Sequence, residues 1–255
     1  HINVICYSIV ANILSNKYRA NIVTYYPRLI SKNKLMLLKF VNLFDINYFL
    51  WKSFGTQKMI FPIINSKQKQ ESKSITSKIF KSIKTKRDVE NIKIENVLVG
   101  DLIYDSFLRE KMLSTIEINS KEFYSFLNES IGLYIFWRDY LLNNQCSLIN
   151  VSHTCYNLAI PLRIAIKLKI KSTQINAHGI YQLDEKNLYA YKLEKLYSEI
   201  FNNFSDSNKK RYREIAKSKI KQRFLGKVGV DMSYSTKSAW TKPTKHRILN
   251  DNNKQ

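Results

Sequence analysis

The chain has 255 residues, enough for one large domain or two small ones with a sizeable core. Its 42 Lys and Arg against 20 Asp and Glu give a formal net charge of +22, which raises an anionic partner. Lys greatly outnumbers Arg, and Gly, Pro and Ala are scarce, as an AT-rich coding sequence dictates. Phosphate clamps and base readout favour Arg, so composition weighs against direct nucleic-acid binding. The three cysteines, Cys6, Cys146 and Cys155, form an odd set without a CxxC pair. That argues against a disulfide scaffold or a cysteine zinc site and fits a reducing, cytoplasmic compartment. No secretory-leader signature precedes the first periodic segment. The chain begins at His1, so a fragment of a longer protein is expected.

In chain order, the apolar residues of Ile2–Asn16 predict a helix ending near Tyr18, then a strand over Asn21–Tyr25 closed by Pro27. The strand expected before that helix is missing. Lys34–Trp51 is apolar and aromatic but interrupted by Lys39 and Asp45, each costing about 2.5–3.5 kcal/mol at a membrane-helix centre. It reads either as an internal helix pair or as a membrane-surface face. A short strand is expected at Met59–Phe61. Ser66–Lys93 carries nine Lys/Arg against three acids, with Ile75, Ile79, Phe80 and Ile83 as its apolar stripe. This predicts a solvated surface helix or loop. A strand over Asn96–Val99 then reaches Gly100-Asp101, with Tyr104-Asp105 following. Asn119 and Glu122 have capping-box spacing, and the helix after them runs to about Asn143, roughly 37 Å at 1.5 Å per residue.

The most informative stretch follows. Ser147–Val151 has the length and composition of a buried strand. A helix starting near Leu158–Ile160 accommodates Pro161 in its first turn. Ser172–Ile175 is a second strand, ending at Asn176-Ala-His178-Gly179. Strand, helix, strand is a βαβ unit, which implies a parallel sheet. Ligands of such sheets sit at the carboxyl ends of the strands, where His153 and His178 fall. The last predicted helix covers about Asp206–Gln222. Ser205–Lys227 holds nine Lys/Arg against two acids and ends in Arg223-Phe-Leu-Gly226-Lys-Val-Gly229. That loop suits either an anion site or a plain helix terminus.

GxGxxG, P-loop, HExxH, GxSxG and zinc spacings are absent, so nicotinamide, ATP and metalloprotease chemistry lack support. No DxD pair is present, so no metal is expected. Val99-Gly-Asp-Leu-Ile-Tyr-Asp-Ser-Phe-Leu-Arg109, Ser152-His-Thr-Cys-Tyr156 and Arg223-Phe-Leu-Gly226, in this order, resemble the N-terminal half of capsular or surface-polysaccharide biosynthesis proteins. The resemblance covers about Val4 to Trp240. It implies an α/β, Rossmann-like parallel sheet flanked by helices, the N-terminal domain of a GT-B glycosyltransferase. Residues 1–240 would be the acceptor-side domain and 241–255 a linker toward a C-terminal nucleotide-sugar domain.

The implied activity is transfer of a sugar from a nucleotide-sugar donor, with no cofactor, to a glycan or lipid-linked acceptor at the inner membrane face. This fragment alone is expected to be inactive. His153 is the candidate base, because an inverting transfer needs one near the acceptor hydroxyl and histidine titrates near neutrality. Its alternative role is hydrogen-bonding loop backbone. Asp101, Tyr104, Asp105 and Tyr156 are candidate acceptor contacts; for both aspartates turn and cap duty is the alternative. His178 would meet acceptor hydroxyls or the leaving phosphate, with Gly179 allowing close approach. Arg223 and Lys227 would meet the diphosphate. The rival readings are a non-catalytic scaffold of polysaccharide assembly and a basic nucleic-acid-binding protein.

Overall fold

The computed structural model describes residues 2–33, 35–37, 51–176, 179–189 and 197–230. The chain divides into two compact units, His1–Ala190 and Tyr191–Gln255, where the sequence predicts one domain through residue 240. The predicted linker, 241–255, and most of the Lys34–Trp51 segment lie outside the described residues.

The first unit is a mixed α/β structure, mostly helical with small sheets. Helix α1, Ile2–Tyr18, leads into strand β1, Ile22–Tyr25, which pairs in parallel with β2, Thr56–Ile60. Arg19 closes α1 at a φ of +48°, with Ala20 N–H donating to the Ser15 carbonyl at 3.0 Å and Arg19 N–H to that of Asn16. That is a Schellman terminus built without its usual glycine.

The charge-rich segment forms α2, Ser66–Ser82, and α3, Lys86–Glu90. Asn65 and Gln68 form a capping box at the start of α2. The helix is not merely solvated. Its stripe of Ile75, Ile79 and Phe80 packs on the core, and buried Ser72 donates to the Asn128 carbonyl at 2.8 Å.

The next two elements differ from the sequence expectation. Lys93–Ile94 (β3) and Val97–Leu98 (β4) form a hairpin where one strand over Asn96–Val99 is predicted. Glu95 and Asn96 both take positive φ, 51° and 65°, as a two-residue type I′ turn requires. Second, the long helix α5, Lys121–Asn143, is capped by Ser120, whose hydroxyl accepts from Phe123 N–H at 3.1 Å. The predicted Asn119–Glu122 box is therefore one residue out of register. Between them lies α4, Gly100–Lys111.

Helix α5 is buried through its middle. Ile131, Tyr134, Ile135 and Trp137 join Phe107, Phe123, Leu127, Ile160 and Leu162 in one core. Arg138 fastens α5 to its surroundings through Glu71 and Glu95, each at 2.7 Å, and also pairs with its helix neighbour Asp139 at 2.8 Å.

The predicted βαβ unit is present. Strand β5, Leu148–Val151, passes through a 3₁₀ turn, Asn157–Ala159, into α6, Ile160–Lys167, and then β6, Lys171–Asn176, parallel to β5. Pro161 stands in the first turn of α6. Strand β7, Gly179–Leu183, turns back antiparallel on β6. The described strands thus form two parallel pairs, not one continuous parallel sheet.

The second unit contains α7, Tyr197–Asn202, and α8, Asp206–Phe224, of which no residue is buried. None of the helices is long and apolar enough to cross a membrane, among the described residues.

Candidate functional site

The site is positioned by α4, and α4 by Gly100. A Cβ on Gly100 would stand 2.0 Å from the Val89 carbonyl oxygen and 2.5 Å from Ile92 N, so only glycine lets this helix start against α3. From there Asp101, Asp105 and Arg109 recur every four residues along one face of α4.

Opposite α4 runs the loop leaving the carboxyl end of β5. Tyr156 adopts a φ of +63°, costly for a non-glycine residue. Its neighbours hold it there. Asn157 N–H donates to Ser106 Oγ on α4 at 2.7 Å, and Asn157 Nδ2 donates to Ser130 Oγ on α5 at 2.9 Å. The Arg109 guanidinium then lies 4.5 Å from the Tyr156 ring centroid, a cation–π stack.

These three segments, with the chain at Pro27–Leu29, enclose a cleft of about 460 Å³ in which Arg28, Ser106, Arg109, Glu110, Glu129, Ser130, Tyr156 and Asn157 alternate with apolar Leu29, Phe126, Leu133 and Leu158. A second, shallower recess of about 580 Å³ lies between Asp105, Arg109, Met112, Leu113, Ser114 and Tyr156. Arg109 and Tyr156 belong to both, so the stacked pair is the ridge between two recesses. Arg28 and Glu110 pair at 3.2 Å on the rim. The Asn157 amide oxygen is buried without a hydrogen-bond partner, leaving an acceptor free beside the cleft.

The other predicted residues fall in different places. Asp101 is bound into the structure: Arg163 Nη2 donates to its carboxylate at 2.7 Å and Tyr189 Oη at 2.6 Å. The Arg163 side chain is only 1% exposed and stacks on Tyr189 at 4.9 Å. Asp105 lines the second recess. Partial burial first, then the charges of Asp101 and Glu90, push its carboxyl above the ordinary range. Burial first, then the charge of Asp105, likewise push the Cys155 thiol above its ordinary range.

Tyr104 belongs to the buried core, 5% exposed, with Lys86 Nζ 4.8 Å from its ring centroid. His153 is exposed on the β5 loop with Nδ1 3.0 Å from Ser152 Oγ, and neither recess is lined by it. His178 lies outside the described residues. Gly179 opens β7, and a Cβ there would meet nothing within 4 Å. Arg223 and Lys227 belong to the second unit, in the Schellman terminus of α8. Lys227 N–H donates to the Gln222 carbonyl at 3.1 Å, Gly226 N–H to Arg223 at 2.9 Å, and Gly226 has a φ of +80°. That geometry spends the loop's amides on the helix, and cations there complement the helix dipole.

Sequence reading thus finds Asp105 and Tyr156 but misses Arg109, Ser106, Ser130 and Asn157. The usable signal is a serine on the buried face of a helix, which needs a partner. Arg163, a cation between apolar neighbours in α6, announces its buried pair in the same way. No protein-family model, curated protein or solved structure matches this chain.

Proposed function

We propose that the first unit is the acceptor-binding half of a Rossmann-like, GT-B-type glycosyltransferase of surface-polysaccharide synthesis. The observation that carries the reading is the amphipathic cleft beside the carboxyl end of β5, with the Arg109–Tyr156 stack as its ridge. Sugars bind through hydroxyls and through stacking of their C–H faces on aromatic rings. Serine hydroxyls, an amide and carboxylates around a braced tyrosine supply both. The position also follows the rule for ligands of parallel sheets.

In the reaction, the acceptor hydroxyl attacks the anomeric carbon as the bond from that carbon to the donor phosphate breaks. The hydroxyl proton passes to a base, and the nucleoside diphosphate leaves with the bond's electron pair. Two groups compete for the base role. His153 lies on the same loop as Tyr156, and Asp105, with its raised carboxyl, lines the adjoining recess. Arg223 and Lys227 are kept as proposed diphosphate contacts on the strength of their charge alone.

A second reading rests on α8. Its eight Lys/Arg against two acids, with no buried residue, suit an anionic partner such as RNA.

Thermal-shift measurements of the chain with oligosaccharides, sugar nucleotides and RNA separate these readings. The account expects stabilisation by oligosaccharides and none by sugar nucleotides alone. Stabilisation only by RNA, steeply lost with salt, would replace it with the second reading.

A further inference from the structure

A further cavity of the first unit, about 810 Å³, is of another kind. All four residues of β1 and all four of β5 line it. Among the described residues β1 pairs only with β2, and β5 only with β6. Each strand therefore presents a bare edge of backbone donors and acceptors to the same space. Thr24 Oγ1 and Ser8 Oγ, both on its lining, are buried without a hydrogen-bond partner. Helix α1 covers the space along its length, from Tyr7 to Tyr18, and Trp137 and Leu141 of α5 close it from elsewhere.

We propose that this cavity is a slot for one β-strand, parallel to β1 and β5, joined directly to the N-terminal end of α1. Size comes first. A strand residue takes a rise of about 3.3 Å, a strand spacing of about 4.8 Å and a layer of about 10 Å, roughly 160 Å³. The slot then holds about five residues, against four in each flanking strand.

Connectivity comes second. Parallel neighbours need a crossover of a dozen or more residues, usually a helix packed over both strands. Helix α1, of 17 residues, enters β1 through a short connection and lies over the slot. Placing the strand there gives the order β2-β1-slot-β5-β6-β7. That is the 3-2-1-4-5 order of a doubly wound sheet, an arrangement whose crossovers are right-handed as a rule. Apolar walls call for a strand apolar on both faces. The slot would merge two small parallel pairs into one sheet, and it stands independently of the glycosyltransferase reading.

The test appends Val-Ile-Val-Ile-Val and a Gly-Ser-Gly connection in front of His1, beside a control extension with proline at the central position. Amide hydrogen exchange reads the outer edges of β1 and β5. The proposal expects at least tenfold slower exchange in both strands and a higher Tm with the apolar extension, and neither with the proline control. Protection of one strand alone, or equal effects of the two extensions, would overturn it. The unextended chain supplies a second measurement that needs no new fold. Outer-edge amides of β1 and β5 exchange faster than the paired amides of β6 if the slot is open. Protection there equal to that of β6 would mean that the edges are already closed, and the proposal fails. Dimers that form with concentration and protect both edges would also overturn it, by naming a second copy as the occupant.

Discussion

Two hollows of the first unit share Pro27 and Leu158 as a common wall, yet differ in chemistry. The cleft between α4, α5 and the β5 loop is walled by side chains that already hold one another: Ser106 and Ser130 fix Asn157, and Arg109 stacks on Tyr156. The slot between β1 and β5 is walled by strand edges that no described strand pairs and by orphan hydroxyls. A pre-organised polar wall is suited to a ligand that comes and goes, because little ordering remains for binding to accomplish. An unpaired backbone edge is suited to more chain, because only another strand satisfies every group on it.

The largest expected effect strikes the cleft alone. Gly100→Ala drives a Cβ into the Val89 carbonyl and must displace α4, with a loss of about 3 kcal/mol in denaturant unfolding. Exchange at β1 should be unchanged in native conditions. Next, Ser106→Ala leaves the Asn157 N–H without its acceptor, costing about 1–2 kcal/mol and weakening oligosaccharide binding. Thr24→Val sharpens the contrast with the opposite sign. Removing an unpartnered buried hydroxyl should stabilise the chain by about 1 kcal/mol while leaving oligosaccharide affinity untouched.

Arg109→Ala should change stability by less than about 1 kcal/mol, the size of an exposed cation–π contact, yet lower oligosaccharide affinity clearly in titration calorimetry.

The smallest effect is the pH dependence of Asp105. Its folded-state carboxyl titrates above the unfolded value, so its contribution to stability is full below the unfolded value and is lost as pH rises through the folded one. Asp105→Asn should therefore raise Tm slightly at about pH 7 and leave it unchanged at about pH 3, in paired thermal melts.

Legibility in the sequence follows the range of the interactions. The βαβ unit could be read because its signals are local: a β-branched run at Leu148–Val151, then Pro161 in a first turn. The hairpin at Lys93–Leu98 could not, because a chain with six glycines builds the turn from Glu95-Asn96 and hides the usual mark. The same scarcity puts Arg19 and Lys169 at left-handed helix ends where glycine is usual. The antiparallel return of β7 is set by pairing along β6, which no local pattern announces. The cleft was legible in part. Tyr156 stands out by type and place, as does Asp105 in the adjoining recess, whereas Ser106, Ser130 and Asn157 matter only because three distant segments converge.

The most direct test of the central claim is saturation-transfer NMR of the chain with a panel of oligosaccharides, repeated on Arg109→Ala and Thr24→Val. The account predicts sugar signals with the wild-type chain and with Thr24→Val, and their loss with Arg109→Ala. Sugar signals that survive Arg109→Ala undiminished, or that vanish with Thr24→Val, would place binding outside the cleft and contradict it.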